Sequence, residues 1–397
     1  MANVAVLGYG TVGSGVYEII KNNAKGKINA NGEEISVKRV LDIRDFPDHE
    51  EKEIFTKEFN DILNDDTISV VAETMGGLHP AYEFTKSLLE AGKSVVTSNK
   101  ELVATYGTEL LALARDKNVN YLFEASVGGG IPVIRPMHQC LTANNVLKIA
   151  GILNGTTNYI LHQMIEFGKT FEDALAEAQE KGFAEKNPAA DVEGHDACRK
   201  IAILSSLASG LFVDYKNIGT EGITNITLED VKYAGALGYS IKLIGYAKDM
   251  DNGKIYSVVA PMFVEKSCPL SDVNGVFNAI MITGDSVGDV MFYGKGAGKL
   301  PTASAVVADV IDAVKHIERS KKITWIEPDG DIMYPADEAS FKYFVRAKGN
   351  VNIKKSAEVC DVVSGEVGFI TEEMKESEMN KLKEANSDII SVLRVLD

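Results

Sequence analysis

The sequence has 397 residues, of which 45% are hydrophobic and 25% are charged, and its formal net charge is -16 at pH 7. This length exceeds what one hydrophobic core fills and predicts two or three domains. Negative charge repels a nucleic-acid backbone, and the apolar runs are shorter than the roughly 18 residues that span a bilayer. Neither a nucleic acid nor a membrane is therefore expected as a partner. The four cysteines are scattered singly and no secretory signal precedes the first strand, so we expect a reduced, cytoplasmic protein.

The first 130 residues alternate short β-branched runs with helical patterns, which is typical of a βαβ architecture with a parallel sheet. The predicted strands cover residues 4–8, 37–43, 68–74, 94–99 and 119–126, and the predicted helices include 13–22 and 81–91. We therefore predict a doubly wound α/β domain over residues 1–130.

The sequence pattern of the remaining residues indicates two further units. Residues 131–325 have a mixed α+β pattern with glycine-rich loops, which predicts a domain for substrate binding, catalysis and dimerisation. A helix over 303–317 is expected to return to the first domain. The tail, residues 326–397, predicts strands near 341–347, 360–370 and 389–395 and a polar helix near 371–386.

The segment VAVLGYGTVGSGV places Gly8, Gly10 and Gly13 directly after a strand and at the opening of a helix. The first glycine permits the tight turn, the second lets backbone approach a pyrophosphate, and the third allows close helix packing beside the anion. This context favours a Rossmann-type nucleotide site over an ordinary glycine turn. The other predicted cofactor contacts are Thr11 and Val12 in the turn, and Thr74, Ser98 and Lys100 at the ends of later strands.

The end of the second predicted strand selects the cofactor, because an acid there binds the ribose 2′-hydroxyl whereas a cation binds a 2′-phosphate. Asp42 and Arg44 both lie near this end, and a shift of two residues decides which of them faces the ribose. We place Arg44 first, which favours NADP, with NAD as the alternative. A solvated strand-end charge explains either residue equally well.

Two lysines are candidates for proton transfer. Hydride transfer to a carbonyl leaves an alkoxide that needs a proton, so a dehydrogenase without a metal requires a donor beside the cofactor. Lys100 follows the fourth strand in TSNKELVA, at a carboxyl strand end where ligands of open α/β sheets bind. A solvated lysine that opens a helix is the alternative for this residue.

The second lysine, Lys200, lies in the segment GFAEKNPAADVEGHDACRK, residues 182–200. Asp196 and Lys200 are four residues apart and therefore share a helix face, which continues through Ile203 and Leu207. A charged pair on an apolar stripe indicates the lining of a cleft rather than a surface pair.

These stretches carry a family resemblance. The chain resembles homoserine dehydrogenases in GYGTVG (8–13), TSNKELVA (97–104), EASVGGGIP (124–132), GILNGTTNYIL (151–161), GFAEKNPAADVEGHDACRK (182–200) and GKGAGKLPTASAVVAD (294–309). The resemblance implies reversible, NAD(P)H-dependent reduction of L-aspartate 4-semialdehyde to L-homoserine, in the route to threonine, methionine and isoleucine. It also implies a homodimer.

The resemblance assigns roles to individual residues. It implies that Lys200 is the proton donor, that Lys100 is the other active-site lysine, and that Asp196 supports the donor. The matching substrate contacts are Glu185 for the amino group, Asp191 alongside it, and Gly155 and Thr156 in the loop over the amino acid. Gly296 and Gly298 match a loop that comes near the cofactor.

The family also holds a monovalent cation, expected to be sodium, through main-chain carbonyl groups. The matching residues are Glu124, Val127, Gly129 and Ile131. A glycine-rich loop shaped for close backbone approach explains the same residues without an ion.

The tail departs from the family pattern. Many bacterial members end in an ACT regulatory domain with a DxPG turn before its first helix, and the tail sequence FKYFVRAKGNVNIKKSAEVCDVV lacks that turn. We therefore expect a small, truncated ACT-like unit with a shortened or absent first helix, and only weak inhibition by threonine.

Two other functions fit part of the pattern. Another Rossmann oxidoreductase acting on a small polar aldehyde through a cysteine would need a thiol in a site loop, whereas Cys198 falls on the helix between Asp196 and Lys200. A non-catalytic, dinucleotide-binding redox sensor has no need of a proton donor, so the two lysines argue against it.

Overall fold

A computed structural model describes residues 2–23, 29–30, 33–250, 253–349, 351–360 and 362–397. Its strands are β1 Ala2–Leu7, β2 Asn29–Ala30, β3 Glu33–Leu41, β4 Phe55–Thr56, β5 Ile68–Glu73, β6 Ser94–Thr97, β7 Tyr121–Leu122, β8 Val146–Ile152, β9 Gly219–Thr220, β10 Tyr239–Met250, β11 Lys254–Glu265, β12 Phe277–Gly284, β13 Gly288–Lys295, β14 Ser340–Phe341, β15 Tyr343–Lys348, β16 Lys355–Cys360, β17 Glu366–Thr371, β18 Met374–Lys375 and β19 Ile389–Val395. Its helices are α1 Thr11–Asn23, α2 Asn60–Leu63, α3 Ala81–Glu90, α4 Lys100–Asp116, α5 Ile134–Gln139, α6 Gly155–Phe167, α7 Phe171–Glu180, α8 Ala189–Val192, α9 His195–Ser209, α10 Leu228–Leu237, α11 Lys299–Lys315 and α12 Glu376–Ala385.

The chain divides into two compact units. The first lies within Met1–Asn144, Ser206–Asp214 and Gly294–Asp329, and the second within Asn145–Ser205, Tyr215–Tyr293 and Gly330–Asp397. Within the described ranges, no helix has the length and apolar character needed to cross a bilayer.

The first unit contains the predicted parallel sheet. Its parallel strands lie in the order β4-β3-β1-β5-β6-β7, and β2 adds an antiparallel edge to β3. Val4 to Leu7 of β1 are fully or almost fully buried, because both faces of a parallel sheet are covered. The chain crosses to opposite sides of β1, so the carboxyl end of β1 is the switch point where open α/β sheets bind ligands. The Rossmann-type fold is thereby confirmed.

Several predicted elements of this unit have different bounds in the structure, such as β3, which covers 33–41 instead of 37–43. The strand expected over 119–126 is limited to β7, because the backbone turns at Glu124 to Ser126 into a short 3-10 helix. The helix expected over 303–317 is α11, which begins earlier and packs on α1. A Cβ on Gly15 would lie 2.8 Å from the Cβ of Ala303, so this glycine permits the close packing.

The second unit is built on a mixed sheet in the order β13-β12-β8-β10-β11-β19-β15-β17-β16. The long β10–β11 hairpin forms its centre, and β8 pairs antiparallel with both β10 and β12. Tyr246, Val259 and Phe263, on this hairpin, are almost completely buried.

The tail continues this sheet, through parallel pairing of β19 with β11, instead of forming a separate compact unit. The strand predicted over 360–370 is a hairpin of β16 and β17, and residue 361 lies outside the described residues. The predicted helix is α12, which starts later than expected because β17 extends to Thr371. Helix α10 packs on the tail strands: a Cβ on Gly368 would lie 2.3 Å from the ring of Tyr233. An ACT-like origin of the tail remains an interpretation.

The packing of α10 on the tail can be tested by replacing Gly368 with alanine. The added methyl group would meet the rigid, fully buried ring of Tyr233. We expect the free energy of unfolding, measured by urea denaturation, to fall by about 1–3 kcal/mol, as is typical of overpacking. Gly235→Ala is the control, because its Cβ meets no atom within 4 Å and alanine favours the helix. A Gly368→Ala protein as stable as the wild type would contradict this packing.

Candidate active site

The turn after β1 is held by bonds from neighbouring strand ends. Gly8 has a φ of +88°, a conformation that side-chain-bearing residues rarely adopt. Its N–H donates to the Leu41 carbonyl (2.8 Å), and the Thr74 hydroxyl donates to the carbonyl groups of Leu7 and Gly8 (2.9 and 3.0 Å). The predicted cofactor residue Thr74 therefore acts on the shape of the glycine turn.

The other two glycines of the motif have different surroundings. A Cβ on Gly13 would lie 1.9 Å from the Gly8 carbonyl oxygen, so a side chain there is incompatible with the turn. A Cβ on Gly10 would meet no protein atom within 4 Å, which leaves room for a ligand. Thr11 and Val12 open α1, where N–H groups face outward from the helix start. These residues fit a pyrophosphate.

Asp42 and Arg44 are bound to each other at the end of β3. The Asp42 carboxylate accepts the Tyr9 N–H (2.7 Å) and the Arg44 backbone and guanidinium N–H groups (2.9 Å), and these bonds with Arg44 lower the pKa of Asp42 to about 2. Asp42 is 7% exposed, whereas Arg44 is 57% exposed. Arg44 also lines an open cleft with Phe46, Lys52, Phe55 and Lys57.

Lys100 is the first residue of α4 and is partly buried. The preceding Asn99 caps this helix by accepting the Leu102 N–H (3.1 Å), and its amide donates to the Gly77 carbonyl (2.6 Å). Asn99 thus ties the start of α4 to the loop after β5. The predicted contact Ser98 lies between Asn99 and the end of β6.

A buried carboxylate, Glu73, organises the same strand ends. It accepts the Met75 N–H (2.7 Å) and the Thr97 hydroxyl (2.6 Å), and burial raises its pKa. Sequence reasoning missed Glu73, although an acid at the end of the apolar run ISVVAE was a usable signal.

The two glycine-rich loops of the first unit lie against each other. A Cβ on Gly129 would lie 2.1 Å from the Gly296 carbonyl oxygen, and the Gly130 N–H donates to the Lys295 carbonyl (3.1 Å). Gly298, with a φ of +117°, caps α11 in the same loop. Close backbone approach is therefore established for both loops.

The loop that starts at Glu124 is fixed by buried acids. The Glu124 carboxylate accepts the N–H groups of Val133, Ile134 and Arg135 (2.6 to 2.8 Å). Its own N–H donates to the carboxylate of Asp309 (2.8 Å), whose pKa is raised to about 7 by burial and by the charge of Glu124. Val127, Gly129 and Ile131 are also buried. The backbone of this loop is therefore enclosed by protein.

In the second unit, Asp196 and Lys200 form an ion pair on α9. The Lys200 ammonium group donates to Asp196 Oδ2 (2.8 Å) and to the Leu153 carbonyl (2.7 Å). Asp196 and Lys200 are 5% and 7% exposed, so the pair turns inward, as the helix face predicted.

Two glycines bring α9 close to the sheet. Gly151 of β8 pairs with Gly245 of β10, and a Cβ on Gly245 would lie 2.6 Å from the Leu153 side chain and 3.3 Å from the Cβ of Ile201. Without a side chain at Gly245, α9 and Leu153 lie against the strand. This position lets Lys200 reach the Leu153 carbonyl.

Most of the remaining predicted substrate residues lie at the start of α6 or are bound to Asn154, which caps this helix. The side-chain amide of Asn154 donates to both Asp191 (2.6 Å) and Asp196 (2.9 Å). Gly155 is the first residue of α6, and the Thr156 hydroxyl donates to the Phe183 carbonyl (2.7 Å). Glu185 lies in the exposed loop between α7 and α8. Sequence reasoning missed Asn154, although an asparagine between a strand and a helix is a typical N-cap signal.

Comparison with known proteins decides the family. The profile described as "Homoserine dehydrogenase, NAD binding domain" matches residues 8–124, and that described as "Homoserine dehydrogenase" matches residues 132–311. The homoserine dehydrogenase of Bacillus subtilis is 42% identical over 318 residues, which cover 79% of this chain and 73% of that protein. The chain belongs to the homoserine dehydrogenase family.

Solved structures agree with this assignment. A homoserine dehydrogenase from Thiobacillus denitrificans has a TM-score of 0.89 at 35% identity, covering 100% of this chain and 98% of that one. A hyperthermophilic archaeal homoserine dehydrogenase in complex with NADPH has a TM-score of 0.67 at 30% identity, covering 79% and 97%.

The family membership identifies the reaction as the NAD(P)-dependent interconversion of L-aspartate 4-semialdehyde and L-homoserine, a step of amino-acid biosynthesis. The two alternative functions are not favoured. Cys198 in particular is buried and its thiol donates to the Tyr215 carbonyl (3.3 Å), which suits a core residue.

A substitution that fills the open space beside Gly10 can test the nucleotide site. In Gly10→Ala, the methyl group meets no protein atom but would occupy the space expected for phosphate. We expect the thermal unfolding midpoint to stay at the wild-type value while the Kd of the nicotinamide cofactor rises about tenfold or more, about 1.4 kcal/mol. Fluorescence titration of reduced cofactor measures this Kd. Unchanged affinity would place the phosphates elsewhere.

Proposed function

We propose that Lys200 donates a proton to the carbonyl oxygen of aspartate semialdehyde and removes it from the homoserine hydroxyl in the reverse direction. The observation that carries this proposal is the buried ammonium group held by Asp196 and the Leu153 carbonyl. The nicotinamide ring, when bound, supplies or accepts the hydride. Asp196 stabilises the protonated lysine, and both acceptors keep the nitrogen in place after the proton has left. We assign Lys100 as the second active-site lysine, on the family resemblance.

The substrate amino acid is proposed to bind beside α6. Asp191 and Glu185 attract its ammonium group, and Asp191 is already oriented by Asn154. Gly155 and Thr156 offer N–H groups at the start of α6, where the helix dipole favours a carboxylate. The substrate ammonium group would thus lie beside carboxylates, and the substrate carboxylate would lie at the positive end of the helix dipole.

For the cofactor, we propose a preference for NADP. Both Asp42 carboxylate oxygens already accept N–H groups of Tyr9 or Arg44, whereas the Arg44 guanidinium is exposed at the open cleft. A guanidinium in this position suits a 2′-phosphate. The NADPH bound to the archaeal relative supports the same choice.

A monovalent cation, which we take to be sodium, is proposed to bind the carbonyl groups of Glu124, Val127, Gly129 and Ile131. The buried loop backbone supports this proposal, and among the described residues no His, Cys, Asp and Glu cluster is suited to a metal ion. When bound, the ion would supply positive charge that stabilises the packed carbonyl dipoles.

We further propose a cytoplasmic homodimer, as the family resemblance implies. Met291 and Tyr293 on the edge strand β13 are exposed apolar side chains that suit an interface. Sedimentation equilibrium measures the mass of the assembly, and a monomeric mass at micromolar concentration would contradict this proposal.

The proton-donor role predicts the effect of Lys200→Ala. We expect kcat, measured by nicotinamide absorbance with homoserine, to fall by roughly a hundredfold or more, the size of a general acid–base contribution. Lys181→Ala is a matched control, because Lys181 also pairs with a carboxylate four residues away, Glu177, but is half exposed. Near-normal turnover of folded Lys200→Ala would exclude the donor role.

The cofactor preference predicts the effect of Arg44→Ala. Loss of a hydrogen bond to a charged group costs about 1.5–3 kcal/mol, so the KM for NADP should rise about tenfold or more while the KM for NAD changes little. Steady-state assays with each cofactor measure both values, and Arg115→Ala on the exposed end of α4 serves as the control. An equal effect on both cofactors would argue against 2′-phosphate binding by Arg44.

A further inference from the structure

The side chain of Asn154 contacts two carboxylates of the candidate substrate site, those of Asp191 and Asp196. Asn154 lies two residues after the end of β8, and its Oδ1 caps α6 by accepting the Thr157 N–H (2.9 Å) and the Thr157 hydroxyl (3.1 Å). The side chain is 6% exposed. Helix capping alone would be satisfied by serine, threonine or aspartate as well.

The amide nitrogen of Asn154 makes bonds that capping does not require. It donates to Asp191 Oδ1 (2.6 Å) and to Asp196 Oδ2 (2.9 Å), and the latter oxygen also accepts from Lys200 (2.8 Å). One amide therefore links the carboxylate proposed for the substrate ammonium group with the carboxylate that holds the proton donor.

We propose that Asn154 is a positioning residue for catalysis, which orients Asp196 toward Lys200 and Asp191 toward the substrate. This inference rests on the proposed roles of these three residues. An amide suits the position because its NH2 group offers two donors without adding charge, so that one group serves two carboxylates. The reverse orientation of the amide would turn an acceptor oxygen toward both carboxylates and leave the Thr157 N–H without its cap.

The choice of substitution distinguishes a positioning role of Asn154 from a purely structural role. Asn154→Ser keeps a capping oxygen but is too short and has too few donors to bridge both carboxylates. Asn154→Asp keeps the size and the cap but replaces the donors by a third negative charge. Thr170→Ala is the control, because Thr170 caps α7 by accepting the Asp173 N–H and lies outside the candidate site.

The test compares these variants with wild type in homoserine oxidation. For Asn154→Ser we expect kcat to fall about tenfold or more, within the range of general acid–base effects, and the KM for homoserine to rise. The KM for the cofactor should stay unchanged, and the solvent deuterium isotope effect on kcat should increase because proton transfer becomes slower. Asn154→Asp should be impaired more strongly, and Thr170→Ala should match wild type in all four values.

The outcomes distinguish this inference from the proposed function. If Lys200→Ala loses turnover while Asn154→Ser matches Thr170→Ala in kcat, homoserine KM and isotope effect, only the role of Asn154 is wrong. Should Asn154→Ser fail to fold, wild-type kinetics in Asn154→Asp would overturn the inference in the same way. Retained turnover in Lys200→Ala would overturn both.

Discussion

The buried ammonium group of Lys200 is the feature on which the proposed proton transfer depends. Removing a charge from water is costly unless other groups compensate for it. Here Asp196 Oδ2 and the Leu153 carbonyl accept from it at 2.8 and 2.7 Å, and Asp196 lies in the first turn of α9, where a helix favours negative charge. Breaking such a buried pair typically costs about 3–5 kcal/mol, so the ammonium group is held at one position.

That position is determined by backbone packing. Gly151 and Gly245 face each other across β8 and β10, and the missing side chain at Gly245 lets Ile201 and Leu153 approach the strand. The same principle shapes the first unit, where Gly13 lies against the Gly8 carbonyl and Gly129 lies against the Gly296 carbonyl. In the first unit, glycine brings backbone groups to distances that any side chain would prevent, and in the second unit it lets the side chains of Leu153 and Ile201 lie against the strand.

Local patterns in the sequence were sufficient to predict much of this arrangement. The spacing of Gly8, Gly10 and Gly13 and the four-residue separation of Asp196 and Lys200 are properties of a turn and of one helix, and both predictions agree with the structure. Asn154 was missed because its carboxylate partners lie 37 and 42 positions away. Pairing of the tail with β11 likewise depends on contacts distant in sequence, so the tail was expected to stand apart.

The most direct test of the proton-donor role is the distance from Lys200 Nζ to the substrate oxygen in a crystal structure with homoserine and a nicotinamide cofactor bound. We expect a hydrogen bond of about 2.7–3.2 Å from Lys200 to the homoserine hydroxyl, with the contacts to Asp196 and Leu153 retained. A hydroxyl group bound by another side chain, with Lys200 still directed only at Asp196 and Leu153, would contradict it.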